Sequence, residues 1–300
     1  MKTLLLIISV LFSVNSFAGF DEGVAAYEKG DYKKSINLFK KAAEQGVSSA
    51  QNNLGSMYDN GKGTVQDYKK AFHWYKKAAE QGVSSAQYNL ALMYNNGEGT
   101  VQDYKKAIHW YKKAAEQNYV DAQFNLGNMY INGEGIVQDY KKAFHWYKKA
   151  AEQNDAGAQF DLAFMYNNGI GTVQDNKKAI YWYKKAAEQN DAGAQFSLGI
   201  MYDNGEDTVQ DNKKAIHWYK KAAEQNYADA QFNLGIMYIN GEGTVKNYVR
   251  AHMWWNIAAA NGDTKAQKNR GIIEKEMTSA DISKAQNMAS KCVARNYKDC

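Results

Sequence analysis

Four histidines stand at one phase of this chain: His73, His109, His145 and His217. Imidazoles in a row raise the question of zinc, and their spacing answers it. The first three are 36 residues apart. In a stacked array that step sets equivalent side chains roughly 10 Å apart, about the distance between packed helices. Zinc ligands lie about 2 Å from the metal, so these residues cannot share an ion. Glu98 and Glu134 recur in the same way, each without a second carboxylate at a glycosidase-like spacing. The Gly61-Lys62-Gly63 stretch follows no strand, so it reads as a turn and not as a phosphate-binding fingerprint. No Ser-His-Asp or Cys-His arrangement is visible, and no Cys-x-x-Cys. The sequence therefore predicts no enzyme, no metal and no cofactor.

What positions these residues is a repeat. Ala50, Ala86, Ala122, Ala158, Ala194, Ala230 and Ala266 stand in register at a step of 36, each followed by Gln. Such a period marks a row of stacked units, whose function resides in a surface. Each unit holds two helix-like segments. In the first, Ala50, Leu54, Met57 and Tyr58 share one face; in the second, Ala71, Trp74, Tyr75 and Ala78 do. Asp67 suits the N-cap of the second helix. No Glu or Gln follows three residues later, so the full capping box is missing. Gly61 and Gly63 suit a link needing positive φ, and Gly82 suits a helix C-terminus. About four large apolar residues per unit gain roughly 1.5–3 kcal/mol each on burial. Chain ordering consumes most of that gain, so a unit is stable only against its neighbours and the ends need caps.

The ends differ accordingly. The first copy, about Phe20 to Val47, has a shorter linker, and the last changes its second helix to Tyr248-Val249-Arg250-Ala251-His252-Met253-Trp254-Trp255. Beyond Ala266, Ile272 to Met277 are expected to extend a helix. Thr278 or Ser279 then caps another, with Ile282, Ala285, Met288 and Ala289 as its apolar stripe. Lys2, the apolar run Leu4 to Phe12 and Ser16-Phe17-Ala18 read as a signal peptide with its cleavage site. The run is too short for a membrane anchor, and the cleavage site has no Cys for lipid attachment. The expected organisation is a signal peptide at 1–18, a repeat array at 19–265 and a helical cap at 266–300. The mature chain is expected to be periplasmic or secreted, without an integral membrane segment. Export permits a disulfide between Cys292 and Cys300; the alternative is two unpaired thiols.

The net charge is +5, and lysines recur in pairs, such as Lys69-Lys70 and Lys76-Lys77, beside Asp67 and Glu80. This is the pattern of a solvated helix face. It offers no Arg-rich groove, so no nucleic-acid partner is expected.

The copies can also be compared position by position. Trp74, Trp110, Trp146, Trp182, Trp218 and Trp254 hold one phase beside the core alanines. This predicts packing and not sugar contact. The positions that change lie on the first helix, two, six and nine places after the marker Ala, within one sector. The first column includes Tyr88, Phe124, Phe160, Phe196 and Phe232. The second includes Leu92, Phe164, Ile200 and Ile236, and the third Ile131 and Ile239. Together they form a candidate partner-binding ladder along a concave wall, polar at its start and apolar toward the carboxyl end. The aromatic column has a second reading, in which its rings brace neighbouring helices.

The unit Ala-x-x-x-Leu-Gly-x-Met-Tyr-x-x-Gly-x-Gly, then Asp-x-x-x-Ala-x-x-Trp-Tyr-x-x-Ala-Ala, resembles the Sel1-like repeat, a relative of the tetratricopeptide repeat with a longer linker. The match begins at Ala50 and recurs from Ala86, Ala122, Ala158, Ala194 and Ala230. The resemblance implies an all-α fold, a right-handed α/α superhelix. It implies a protein-binding scaffold with an unidentified protein partner on its concave face, including the immunity proteins that neutralise toxic effectors. One branch of the family is linked to β-lactamase or penicillin binding and carries a disulfide in each repeat; this chain has none there. A cell-wall or β-lactam-acting enzyme and a glycan-binding module remain the alternatives. Asp207 departs from the pattern, standing where the other full copies have the second linker Gly.

Overall fold

The computed structural model describes residues 19–206, 209–298 and 300. The leader read at 1–18 and the departure at Asp207 lie outside the described residues. Among those described, the chain is an all-α solenoid of helix-turn-helix units. It divides into two units, 1–149 and 150–300.

Helical residues 19–28 (α1) and α2 (Tyr32–Glu44) make the short first copy. The first helices of the later copies are α3 (Ser48–Asn60), α5 (Ser84–Asn96), α7 (Val120–Asn132), α9 (Ala156–Asn168), α11 (Ala192–Asn204) and α13 (Ala228–Asn240). Their second helices are α4 (Tyr68–Glu80), α6 (Tyr104–Glu116), α8 (Tyr140–Glu152), α10 (Asn176–Glu188), α12 (Asn212–Ala223) and α14 (Tyr248–Ala260).

The caps behave as their residue types require. Asp67 accepts a bond from the Lys70 backbone N–H at 3.0 Å, and Asp103, Asp175 and Asp211 do the same in their copies. Every first helix from α3 onward ends on a left-handed glycine, such as Gly61 at φ 66° or Gly97 at φ 76°. The linker then folds back: Asp67 N–H donates to Tyr58 O, and the Gln66 amide donates to Asp59 O. Gly82 lies one residue past the α4 C-cap Gln81, at φ 92°. Asn118, Asn154, Asn190 and Asn226 take its place in later copies, also at positive φ, which Asn tolerates better than most residues.

The marker alanines and the leucines four places on are fully buried, together with a tyrosine column that includes Tyr75, Tyr111, Tyr183 and Tyr219. Tryptophan departs from the expected core role. Trp146 and Trp254 are buried, but Trp74, Trp110, Trp182 and Trp218 are half-buried. A lysine one turn on covers the exposed face of several: Lys77 lies 4.8 Å above the Trp74 ring and Lys221 5.1 Å above Trp218.

The Gln after each marker Ala is a structural tie. Gln195 is buried and donates to Ala187 O at the end of the preceding second helix, while its own carbonyl accepts from Gln225. Gln87 does the same with Ala79 O and Gln117 in the other unit. A buried amide that meets its partners in both directions fixes the registry of neighbouring copies.

At the carboxyl end the expected extension from Ile272 to Met277 is not a continuous helix. Helix α15 (Thr264–Ile273) stops, Glu274–Glu276 form a single 3-10 turn, and Thr278 caps α16 (Ser279–Ala294). A tertiary contact holds this turn. Glu274 Oε1 lies 2.8 Å from Nε2 of the fully buried His252, and Arg270 Nε lies 3.5 Å from the same oxygen. Cys292 and Cys300 form a disulfide, with Cα atoms 5.3 Å apart.

Candidate functional site

The first helices carry the columns that vary, and the structure sorts them into two groups. In the unit 150–300, the aromatic column braces its neighbours. The Phe160 ring lies 5.7 Å from Tyr183, and Phe196 lies 5.8 Å from Tyr219 and 5.1 Å from Tyr227. Phe232 lies 6.4 Å from Trp255, whose indole N–H donates to the Phe232 carbonyl. These rings are half-buried and held on one face. Further along the same helices, only Phe164 stands clearly more open than these rings. Phe164 is 46% exposed, and Ile200, Ile236 and Ile239 are half-buried.

The unit 1–149 repeats the scheme with fewer apolar members. Tyr88 packs 5.9 Å from Tyr111 and 5.1 Å from Tyr119, and Phe124 packs 5.8 Å from Tyr147. Leu92 lines a groove of about 200 Å³ with Asn95, Asn125, Asn128 and Glu134. Ile131 is half-buried on the same helix as Phe124. The groove shows that residues six and nine places after one marker Ala face the first helix and linker of the next copy.

Reasoning from sequence missed Asp161. It sits in a column otherwise filled by Asn53, Asn89, Asn125, Ser197 and Asn233. The lone carboxylate in that column was the available signal. Burial, reinforced by Asp191 and Asp155, pushes its carboxyl up to about 6. Asp155 and Asp191 themselves cap α9 and α11, each accepting from a backbone N–H at 2.7 Å. Asp203 is likewise raised, by burial and by Glu242.

A testable consequence follows from the sign of the Asp161 shift. The folded chain holds this proton more tightly than the unfolded chain, so ionised Asp161 lowers stability above pH 6. That penalty fades as the pH falls toward the unfolded carboxyl value. Asp161→Asn is expected to stabilise the unit by about 2 kcal/mol at about pH 8, and to change little at about pH 4. Urea melts of both proteins at the two pH values check this. An equal gain at both would remove the electrostatic explanation.

The histidines lie where packing puts them. His73 is exposed, its ring 5.1 Å from Trp74, and burial together with Lys77 and Lys76 lowers its affinity for a proton. Among the described residues, no group of three or more His, Cys, Asp or Glu could hold a metal ion. Among the same residues, no helix is long and apolar enough to cross a membrane.

Comparison with known proteins adds four findings. The solved structure of a protective antigen present in uropathogenic Escherichia coli strains, displaying an SLR fold, superposes with a TM-score of 0.85 at 36% identity. That match covers 93% of this chain and 61% of that one, so this chain spans less than two thirds of its length. A Sel1 repeat protein from Oxalobacter formigenes matches with a TM-score of 0.67 at 37% identity, over 81% of this chain and 99% of that one. HcpE of Helicobacter pylori, whose name ascribes a β-lactamase activity to it, is 48% identical over only 50 residues, 17% of this chain and 14% of that protein. The Sel1 repeat model matches seven consecutive segments: 20–47, 48–83, 84–119, 120–155, 156–191, 192–227 and 228–263. With the helix pairs and turn glycines falling on those same segments, this chain belongs to the Sel1 repeat family.

Proposed function

We propose that this protein is an exported scaffold that binds a partner protein, and that its contact surface is the first-helix face of residues 150–300. The observation that carries this reading is the contrast between columns. The buried positions repeat from copy to copy, whereas the exposed Phe164 and the half-buried Ile200 and Ile236 stand in a column that changes along the chain and is large and apolar here. Apolar side chains that vary between copies but share one face suit a docking strip. Export is supported by the signal-like leader and by the Cys292–Cys300 disulfide, a bond that persists in oxidising compartments. A protective antigen among the similar structures is in keeping with an extracytoplasmic place. The β-lactamase name of the H. pylori relative does not carry over, because the match is confined to 50 residues.

The test is affinity capture from the source bacterium. A variant carrying Phe164→Ser, Ile200→Ser and Ile236→Ser should keep its helical circular dichroism and lose a partner that the parent chain retains. A loss of binding of about tenfold or more is expected for removing three central apolar contacts. A second-helix control, Lys184→Ser with Lys185→Ser, should retain the partner. The same proteins captured by all three chains would sink the proposal.

A further inference from the structure

The charges around the strip suggest the chemistry of the partner; this step rests on the scaffold reading. Helices α9, α11 and α13 contain no Lys or Arg, although the chain holds 37 of them. The same helices and their flanking turns carry Asp155, Asp161, Asp191, Asp203, Asp229 and Glu242. Ion pairs described in the unit 150–300 lie elsewhere, on the second helices and at the carboxyl end. Two nearby lysines are already engaged. Lys178 and Lys214 sit 3.0 Å from Asp175 and Asp211, and each also lies 5.3 Å above a tyrosine ring.

The carboxylates also act on one another. Asp191 and Asp155 raise the proton affinity of Asp161, and Glu242 raises that of Asp203. Across α9, α11 and α13 the face thus holds negative charge without a Lys or Arg of its own, in a protein whose overall balance is +5; beyond them, Lys265 on α15 lines a groove with Asp229. Asp161 directly follows Phe160 and lies one turn before Phe164, while Asp203 lies one turn after Ile200. On a helix such neighbours share a face, so acid and apolar groups alternate along the strip.

We propose that the first-helix face of residues 150–300 takes a segment of a partner protein in which Arg or Lys side chains flank bulky apolar ones. The apolar groups rest on Phe164, Ile200 and Ile236, and the cations reach Asp161 and Asp203. A neutral or anionic segment would cover these carboxylates without replacing the water it displaces, which opposes binding. Long-range attraction to a cationic segment also speeds encounter and weakens as salt rises.

The experiment titrates three short labelled peptides into the full-length mature chain by fluorescence anisotropy: one alternating Leu with Arg, one alternating Leu with Glu, one alternating Ser with Arg. The Leu/Arg peptide should bind about tenfold or more tightly than either control, with affinity falling as salt is added. In a variant carrying Asp161→Asn, Asp203→Asn and Glu242→Gln, its binding should weaken about tenfold. The amides preserve shape, and the carbonyl of the amide replacing the Asp203 carboxylate can still accept from the Tyr219 hydroxyl, which lies 3.4 Å from Asp203 Oδ2. A control with Glu80→Gln, Glu116→Gln and Glu188→Gln changes net charge equally on second helices and should bind as the parent does. Equal binding of the Leu/Glu peptide, or an unchanged amide variant, overturns the cationic assignment. If the amide variant is unchanged while the triple Ser variant loses the peptide, the docking strip stands and only the charge assignment falls. If only the amide variant weakens, the apolar strip falls, and attraction to the peptide is electrostatic alone.

Discussion

Trp254→Ala is expected to destabilise the unit 150–300 by about 4 kcal/mol, whereas Trp74→Ala costs the unit 1–149 about 1–2 kcal/mol. Both residues hold the same phase of the repeat, and only their surroundings differ. Trp254 is 1% exposed. It lies on α14, which packs on α13, α15 and α16, and its neighbours His252, Met253 and Trp255 are also buried. The Glu274 carboxylate on His252 pins the turn beyond α15 to the same helix. Removing the indole leaves a cavity that cannot collapse without moving that cap, and an unfilled cavity adds to the lost transfer energy. Trp74 is half-buried, with Lys77 above its ring. When its indole is removed, the lysine stem can settle over the gap, and water can enter what remains.

A repeat array loses structure locally, so the readout must be local too. Hydrogen exchange followed by mass spectrometry should show faster exchange across α13 to α16 in the Trp254 variant. The Trp74 variant should change only near α3 and α4. Similar losses at the two sites would show that repeat phase sets the cost and that the end cap has no special role.

The contrast between these tryptophans marks how far the sequence could be read. Helix pairs, the Asp caps and the turn glycines were legible because each depends on residues within a few places of one another. Asp67 and Lys70, or Gly61 and Met57, meet inside a single turn. The tie made by Gln195 was not legible, although its column never varies. Its partners, Ala187 O and Gln225, are brought to it only by stacking. The break after Ile273 was hidden for the same reason: the turn that follows carries Glu274, whose carboxylate meets a buried histidine 22 residues away. At the candidate site, the apolar trend toward the carboxyl end was visible in the columns. The bracing role of the aromatic column was legible only as one of two readings, and it is decided by a partner such as Tyr183, which stacking alone sets against Phe160.

Gly99→Ala is expected to cost about 3 kcal/mol or more, and Gly97→Asn about 1 kcal/mol or less, although the two glycines share one linker and nearly one backbone conformation. Gly97 has φ 76° and Gly99 φ 67°, both in the region where a side chain is strained. Conformation alone would therefore rank them together; what separates them is what lies beside each Cα. A Cβ on Gly97 would come within 3.3 Å of Gln102 N, a neighbour in the same loop that can give a little. Asn also tolerates the left-handed region at helix ends.

On Gly99 the added carbon would press into the carbonyl oxygen of Tyr68 and lie 2.6 Å from its carbon. Tyr68 is the first residue of α4, in the preceding copy, so the clash can be relieved only by parting the linker of one copy from the second helix of another. The same contact recurs elsewhere: a Cβ on Gly63 would lie 2.6 Å from the Tyr32 carbonyl carbon, and one on Gly243 2.5 Å from that of Asn212. This glycine column therefore acts between copies, while the Gly97 column ends a helix within one. Urea unfolding of the two variants, followed by circular dichroism, distinguishes these roles. If Gly99→Ala melts beside Gly97→Asn, the linker glycine serves only its own turn, and close stacking of consecutive copies does not depend on it.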